Sequence, residues 1–207
     1  MLHTRLSLIA AGPAALDECV TYIQQEIGPV LEARPGSLGI SVLADRERGV
    51  ALFGSVWATS HEMTASEDTE APLRGELAKR AGGRVTVEDY QVPVYELFEE
   101  QELPRHGQAA RLTRIQVRPS EVDDIIGVVG EYAVPSLTET PGFCDALLFA
   151  HPASGRLISQ TAWRDPGARA ASPSVAAIIR AEVPDEASSE IHAVEDYTLV
   201  FSSIREP

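Results

Sequence analysis

Residues 29–57, PVLEARPGSLGISVLADRERGVALFGSVW, return 106 positions later as residues 135–163, PSLTETPGFCDALLFAHPASGRLISQTAW. Within that stretch, without a gap, Pro35-Gly36 falls on Pro141-Gly142, Ala44 on Ala150, Gly49 on Gly155 and Trp57 on Trp163. Outward, Arg5-Leu6 falls on Arg111-Leu112, and after one inserted residue Val87-Glu88-Asp89-Tyr90 falls on Val194-Glu195-Asp196-Tyr197. A repeat this long means that each half is one copy of a unit that leaves a face needing the other. The 207 residues then divide into repeat 1 at 1–100, a polar linker at 101–110 and repeat 2 at 111–207, each copy near the lower end of domain size.

Each copy reads strand, helix, strand, strand, helix, strand. Leu16, Val20, Ile23, Ile27, Val30 and Leu31 recur at helical spacing, and their copies are Val122, Ile126, Val129, Ala133, Ser136 and Leu137, which is one apolar stripe with a single polar substitution. Pro29 and Pro135 lie in the last turns of these helices and are expected to kink or end them. Two apolar runs around a five-residue connector ending in Gly49 or Gly155 indicate a β-hairpin in each copy. Thr59 with Glu62, and Asp165 before Pro166, mark the starts of second helices, which Pro72 and Pro173 are expected to break. The closing strands run over 84–98 and 190–204. A βαββαβ unit is the ferredoxin-like plan, an antiparallel sheet with helices on one face. The expected fold is α+β, two tandem ferredoxin-like domains closed sheet to sheet into one barrel.

A formal charge of −14 argues against nucleic acid and anionic membranes as partners. No window is apolar for the ~18 residues of a membrane span, and Met1-Leu2-His3-Thr4-Arg5 lacks the order of a signal peptide, so a cytoplasmic location is expected. Cys19 and Cys144 are unrelated by the repeat and read as reduced, buried thiols. There is no HExxH, EF-hand loop or clustered Cys and His, so no metal is expected.

The stretch from Pro29 through Pro35-Gly36 to Trp57, and its copy from Pro135 to Trp163, resembles the antibiotic biosynthesis monooxygenase family of dimeric α/β barrels. In that family two ferredoxin-like chains pack sheet to sheet, each with a small pocket between sheet and helices. The resemblance implies a fused dimer that is monomeric in solution, needs no cofactor and takes a small aromatic ligand. The family's active sites use a Trp ending the third strand, matched by Trp57 and Trp163. Its first-strand Asn has no counterpart, since the chain contains no Asn; Ser7 and Thr113 stand nearest by register. The haem-degrading branch carries a His about ten positions after the Trp, where this chain has Glu67 and Pro173.

Candidate ligand-binding residues are Trp57, His61, Arg111, Arg114 and Trp163; no catalytic step is assigned to any. His61 follows Trp57 by four positions and either faces the pocket or lies exposed in a first helical turn. Arg111 and Arg114 suit an acidic or phenolate ligand on which a Trp could stack; the competing reading pairs Arg5 and Arg111 with acids and packs both Trp in the core. His192 and Asp196 share one strand face as a base and its orienter, although four residues of strand separate them by about 13 Å. Two functions stay open. One is a small-molecule protein of the monooxygenase-like barrel type, an oxygenase without cofactor acting on an aromatic or polyketide-like compound. The other is a non-catalytic ligand-binding or interaction module that keeps only the scaffold.

Overall fold

The computed structural model describes residues 1–97, 106–182 and 190–205. In chain order the strands are β1 (Leu2–Ala10), β2 (Ser37–Asp45), β3 (Val50–Trp57), β4 (Val85–Leu97), β5 (Ala109–Gln116), β6 (Phe143–His151), β7 (Arg156–Trp163) and β8 (Glu190–Ser202). The α-helices are α1 (Pro13–Tyr22), α2 (Gly28–Glu32), α3 (Ser60–Ala65), α4 (Glu67–Ala81), α5 (Val122–Val128), α6 (Val134–Thr138), α7 (Pro166–Ala171) and α8 (Val175–Glu182). Residues 101–105 of the expected linker lie outside the described residues; Gly107 and Gln108 lead directly into β5.

The prolines do not end the first helix of either copy. A π-helical turn, Ile23–Ile27, joins α1 to α2, and Val129–Ala133 joins α5 to α6 at the same place in the repeat. Pro29 and Pro135 follow in the first positions of α2 and α6. A proline has no N–H to give and its ring crowds the carbonyl four residues back. The wider turn relieves both problems: Gly28 N–H donates to the Ile23 carbonyl five residues earlier, and Val134 N–H to that of Val129. Pro72 is likewise inside α4 rather than at its end. It lies on the solvent side, where water can take up the carbonyl it leaves free. Pro173 does separate α7 from α8. The two helix starts read from the sequence form as caps: Thr59 Oγ1 accepts from Glu62 N–H at 3.2 Å and Asp165 Oδ1 from Ala168 N–H at 2.9 Å.

Two compact units result. Met1–Tyr90 with Thr198–Pro207 forms the first, and Gln91–Tyr197 the second. The long closing strands divide at the boundary. The first unit takes the end of β8, where Leu199 pairs with Leu43 and Phe201 with Val42. The second takes the end of β4, where Val94 pairs with Leu148 and Gln91 with Ala150. Gly39 admits the end of β8 beside β2: its φ is +122° and a Cβ there would stand 2.5 Å from the Ser203 carbonyl oxygen. Followed through hydrogen-bonded neighbours, the strand order β1-β3-β2-β8-β5-β7-β6-β4 is that of a closed barrel, so the α+β, ferredoxin-like reading holds. One core fills the space between sheet and helices in the first unit, around Leu16, Ile23, Ile40, Phe53 and Trp57. Val122, Val129, Leu148, Leu157 and Trp163 are among its counterparts in the second.

Candidate functional site

Side chains two apart on a strand share a face. In the first unit Arg5, Ser7 and Ile9 of β1 and Phe53, Ser55 and Trp57 of β3 therefore line the side where Ile9, Phe53 and Trp57 join the helix core. Adding 106 gives Arg111, Thr113 and Ile115 on β5 and Ser159, Thr161 and Trp163 on β7. Both indole rings are fully buried, and each donates its N–H two residues back along the strand. Trp57 reaches Ser55 Oγ at 3.0 Å, and Trp163 reaches Thr161 Oγ1 at 3.2 Å while meeting Phe143 edge to face.

The copies differ one step along. Across β1 and β3, Ser7 stands opposite Phe53, whose ring is fully buried in the core. Across β5 and β7, Thr113 stands opposite Ser159. A ring has been exchanged for a hydroxyl in the middle of a buried layer. Thr113 and Ser159 are 2% and 3% exposed. Ser7 Oγ is buried without a partner among the described residues and stands opposite Phe53. Hydroxyls in a buried layer ordinarily take their hydrogen bonds from protein, water or a ligand.

The arginine of the first strand meets different surroundings in each copy. Arg5, 5% exposed, donates Nε and Nη2 to the two Asp89 oxygens at 2.8 and 3.0 Å, and its Nη1 lies 2.7 Å from Glu67 and 3.6 Å from Glu70. Arg74 completes the cluster by pairing with Glu67 and Glu70. Burial acts to lower the Arg5 pKa, but Asp89, Glu70 and Glu67 outweigh it and hold the guanidinium above its ordinary value. Burial pushes the Glu70 carboxyl above its ordinary value, against the pull of Ser66, Arg5 and Arg74. Arg111 donates to Ser172 Oγ at 3.3 Å and to the Arg169 carbonyl at 3.0 Å. Its nearest carboxylate oxygen, on Asp196, is 3.7 Å from Nε, and Asp196 also pairs with Arg169 at 3.2 Å.

The five candidate residues therefore do not form one cluster. Trp57 and His61 belong to the first unit, where His61 is exposed in the first turn of α3. Arg111 and Trp163 share the helix-facing side of the second unit. Arg114, three residues from Arg111, points to the opposite face of β5 and pairs with Glu195 at 2.8 Å. His192 is exposed and lies 3.7 Å from Glu190, while the Asp196 carboxylate is held by arginines. Of the two positions matched to the haem-ligating His, Glu67 is taken up by Arg5 and Arg74, and Pro173 sits between α7 and α8. No group of three or more His, Cys, Asp or Glu able to hold a metal occurs among the described residues. Both thiols are free and buried, and burial pushes that of Cys144 up to about 12. Sequence reasoning passed over Thr113 and Ser159 as a pair, Arg169 and Ser172. The exchange of Phe53 for Ser159 under the repeat was the available signal.

No family model matches the chain. It is similar to the uncharacterized protein Rv2558 of Mycobacterium tuberculosis (strain ATCC 25618 / H37Rv), 27% identical over 209 residues that span 100% of this chain and 87% of the relative. Among solved structures it resembles a candidate monooxygenase of Lactobacillus acidophilus NCFM, with a TM-score of 0.70, 13% identity and 98% and 94% of the two chains covered. It also resembles an anthrone oxidase-like protein, with a TM-score of 0.65, 16% identity and 97% and 92% covered. No helix is long and apolar enough to cross a membrane among the described residues. The chain has the ferredoxin-like α/β barrel fold of these monooxygenase-like neighbours.

Proposed function

We propose that the second unit is a small-molecule site that takes an aromatic compound between the helix-facing side of β5 and β7 and the helices above it. The observation that carries this reading is the exchange of the buried Phe53 ring for the Ser159 hydroxyl, which stands opposite Thr113 in a layer where both residues are 2–3% exposed. A ligand ring there would do for the second unit what Phe53 does for the first, and the two hydroxyls would orient it. Trp163, Thr161 and Arg111 border the same face.

The test is a Ser159→Phe variant titrated with 1-naphthol by calorimetry. Wild-type protein is expected to bind and the variant to lose binding while unfolding at the same or a higher temperature, since the ring fills the layer from within. Equal binding by the two proteins refutes the reading. Oxygenation of a phenolic ligand is the second reading, favoured by the fold shared with a candidate monooxygenase and an anthrone oxidase-like protein. Oxygen uptake with bound 1-naphthol that disappears in Ser159→Phe supports it. Binding without uptake assigns the site to a binding protein.

A further inference from the structure

The first unit contains, as part of its own chain, a carboxylate seated on the first-strand arginine. Glu70, 2% exposed, accepts from Ser66 Oγ at 2.7 Å and from Arg74 at 3.1 Å, and lies 3.6 Å from Arg5 Nη1. Ser66 Oγ also contacts the carbonyl of Met63, three residues back, at 2.7 Å. In the second unit much of this seat remains: Arg111 replaces Arg5, and Ser172 replaces Ser66, with the same 2.7 Å bond to the carbonyl three residues back, on Arg169. The acids have gone. Under the repeat Glu67 becomes Pro173, Glu70 becomes Ala176, itself buried, and Met63 becomes Arg169.

The charges change accordingly. In the first unit Arg5 and Arg74 face Glu67, Glu70 and Asp89. In the second, Arg111 and Arg169 share Asp196 alone among the described residues, and the Asp196 side chain is half-exposed. A guanidinium has five N–H donors in a planar fork. Arg111 uses its two terminal nitrogens on neutral oxygens and leaves Nε 3.7 Å from a carboxylate. A mostly buried guanidinium so supplied is short of anionic acceptors, and a planar carboxylate is the partner that matches its fork.

We infer that the second unit binds its ligand through a carboxylate seated on Arg111, Ser172 and Arg169, in the place that Glu70 fills within the first unit. This rests on the reading of the Thr113 and Ser159 layer as a ligand site and adds the ligand's class, a small aromatic acid. The first unit keeps the seat occupied by its own side chain, so one site per chain is expected.

The experiment compares 1-naphthoate with neutral 1-naphthol at pH 7 on wild-type protein and on Arg111→Met, Ser172→Ala and Ala176→Glu. The acid is expected to bind wild type about tenfold tighter or more, the range of a charge-assisted hydrogen bond, with one site per chain. Arg111→Met is expected to erase that preference and leave 1-naphthol binding in place. Ala176→Glu is expected to erase it by restoring an internal carboxylate. If Ala176→Glu does not fold, Ser172→Ala, which removes a single hydroxyl, is expected to reduce the preference. Equal binding of the two probes by wild type, or a preference that survives Arg111→Met, overturns the carboxylate seat while the layer reading stands. Binding of neither probe overturns both.

Discussion

Gly28 lies directly against Ile40: a Cβ on Gly28 would stand 2.9 Å from Ile40 Cδ1 and 3.3 Å from the Ile23 carbonyl oxygen. In the second copy the same two positions hold Val134 and Ala146, so bulk has moved from strand to helix. Gly28→Val alone is expected to overpack the first unit and cost about 1–3 kcal/mol, and Ile40→Ala alone about 2–5 kcal/mol. The double variant is expected to recover a substantial part of the sum, because it reproduces the arrangement of the second unit. Denaturant unfolding of all four proteins measures the coupling; strictly additive losses would show that the two side chains do not share the space.

Phe53→Ser reproduces the second unit's layer in the first without an arginine seat that needs an acid. It is expected to destabilise by about 3–5 kcal/mol, as removal of a buried ring does, and to gain no affinity for 1-naphthoate over 1-naphthol, because Glu70 still occupies the seat beside Arg5. Thermal unfolding and the same titration check this. An acid preference gained by Phe53→Ser would show that the seat is open in both units.

The fold was legible because the repeat compares the chain with itself. The helix stripe from Leu16 to Leu31, the two capped second helices and the hairpins before Trp57 and Trp163 all appear at the expected places. The π turns were not legible, since proline at Pro29 signals a lost hydrogen bond but not whether the helix stops or widens. Nor was the sharing of β4 and β8 between units, because strand pairing depends on partners distant in sequence. At the candidate site, period-two alternation alone sets Arg111 and Arg114 on opposite faces of β5. Two of the acids facing Arg5, Glu67 and Glu70, lie on a helix whose register is not apparent from those residues by themselves.

The pH dependence of stability isolates Glu70. Its carboxyl titrates higher in the fold than the ordinary 4.5 because it is buried. Its contribution to stability is therefore fully present below the unfolded pKa and is lost as pH rises through the folded one. Asp45 acts in the other sense: the Arg48 N–H holds its carboxyl low, so its contribution is present above 3.8 and lost as pH falls. Glu70→Gln keeps an acceptor for Ser66 and Arg74 and removes the charge together with its titration. Unfolding free energy of wild type minus Glu70→Gln, in which Asp45 cancels, is expected to fall as pH rises from about 4.5 toward neutrality. A difference that is flat or rises over that interval would contradict the burial assigned to this carboxylate.

The register of the shared strands predicts how half the chain behaves. Phe201 pairs with Val42 and Thr198 with Ala44, while Val94 pairs with Leu148 and Gln91 with Ala150. Subtracting 107 from the β8 positions and adding 106 to the β2 positions turns each of the first pairs into the corresponding second pair, so β4 and β8 make the same ladder. The end of β4 therefore has the register to pair with β2 of a second copy as the end of β8 does in the intact chain. A fragment of residues 1–105 is expected to form a homodimer by this exchange, since alone it leaves the outer edge of β2 unpaired. Pro substituted for Val94 removes a backbone donor from that ladder and is expected to shift the fragment toward monomer. Light scattering gives the mass directly. A folded fragment that stays monomeric at high concentration would show that β4 closes on its own copy and that the strand exchange requires the covalent tandem.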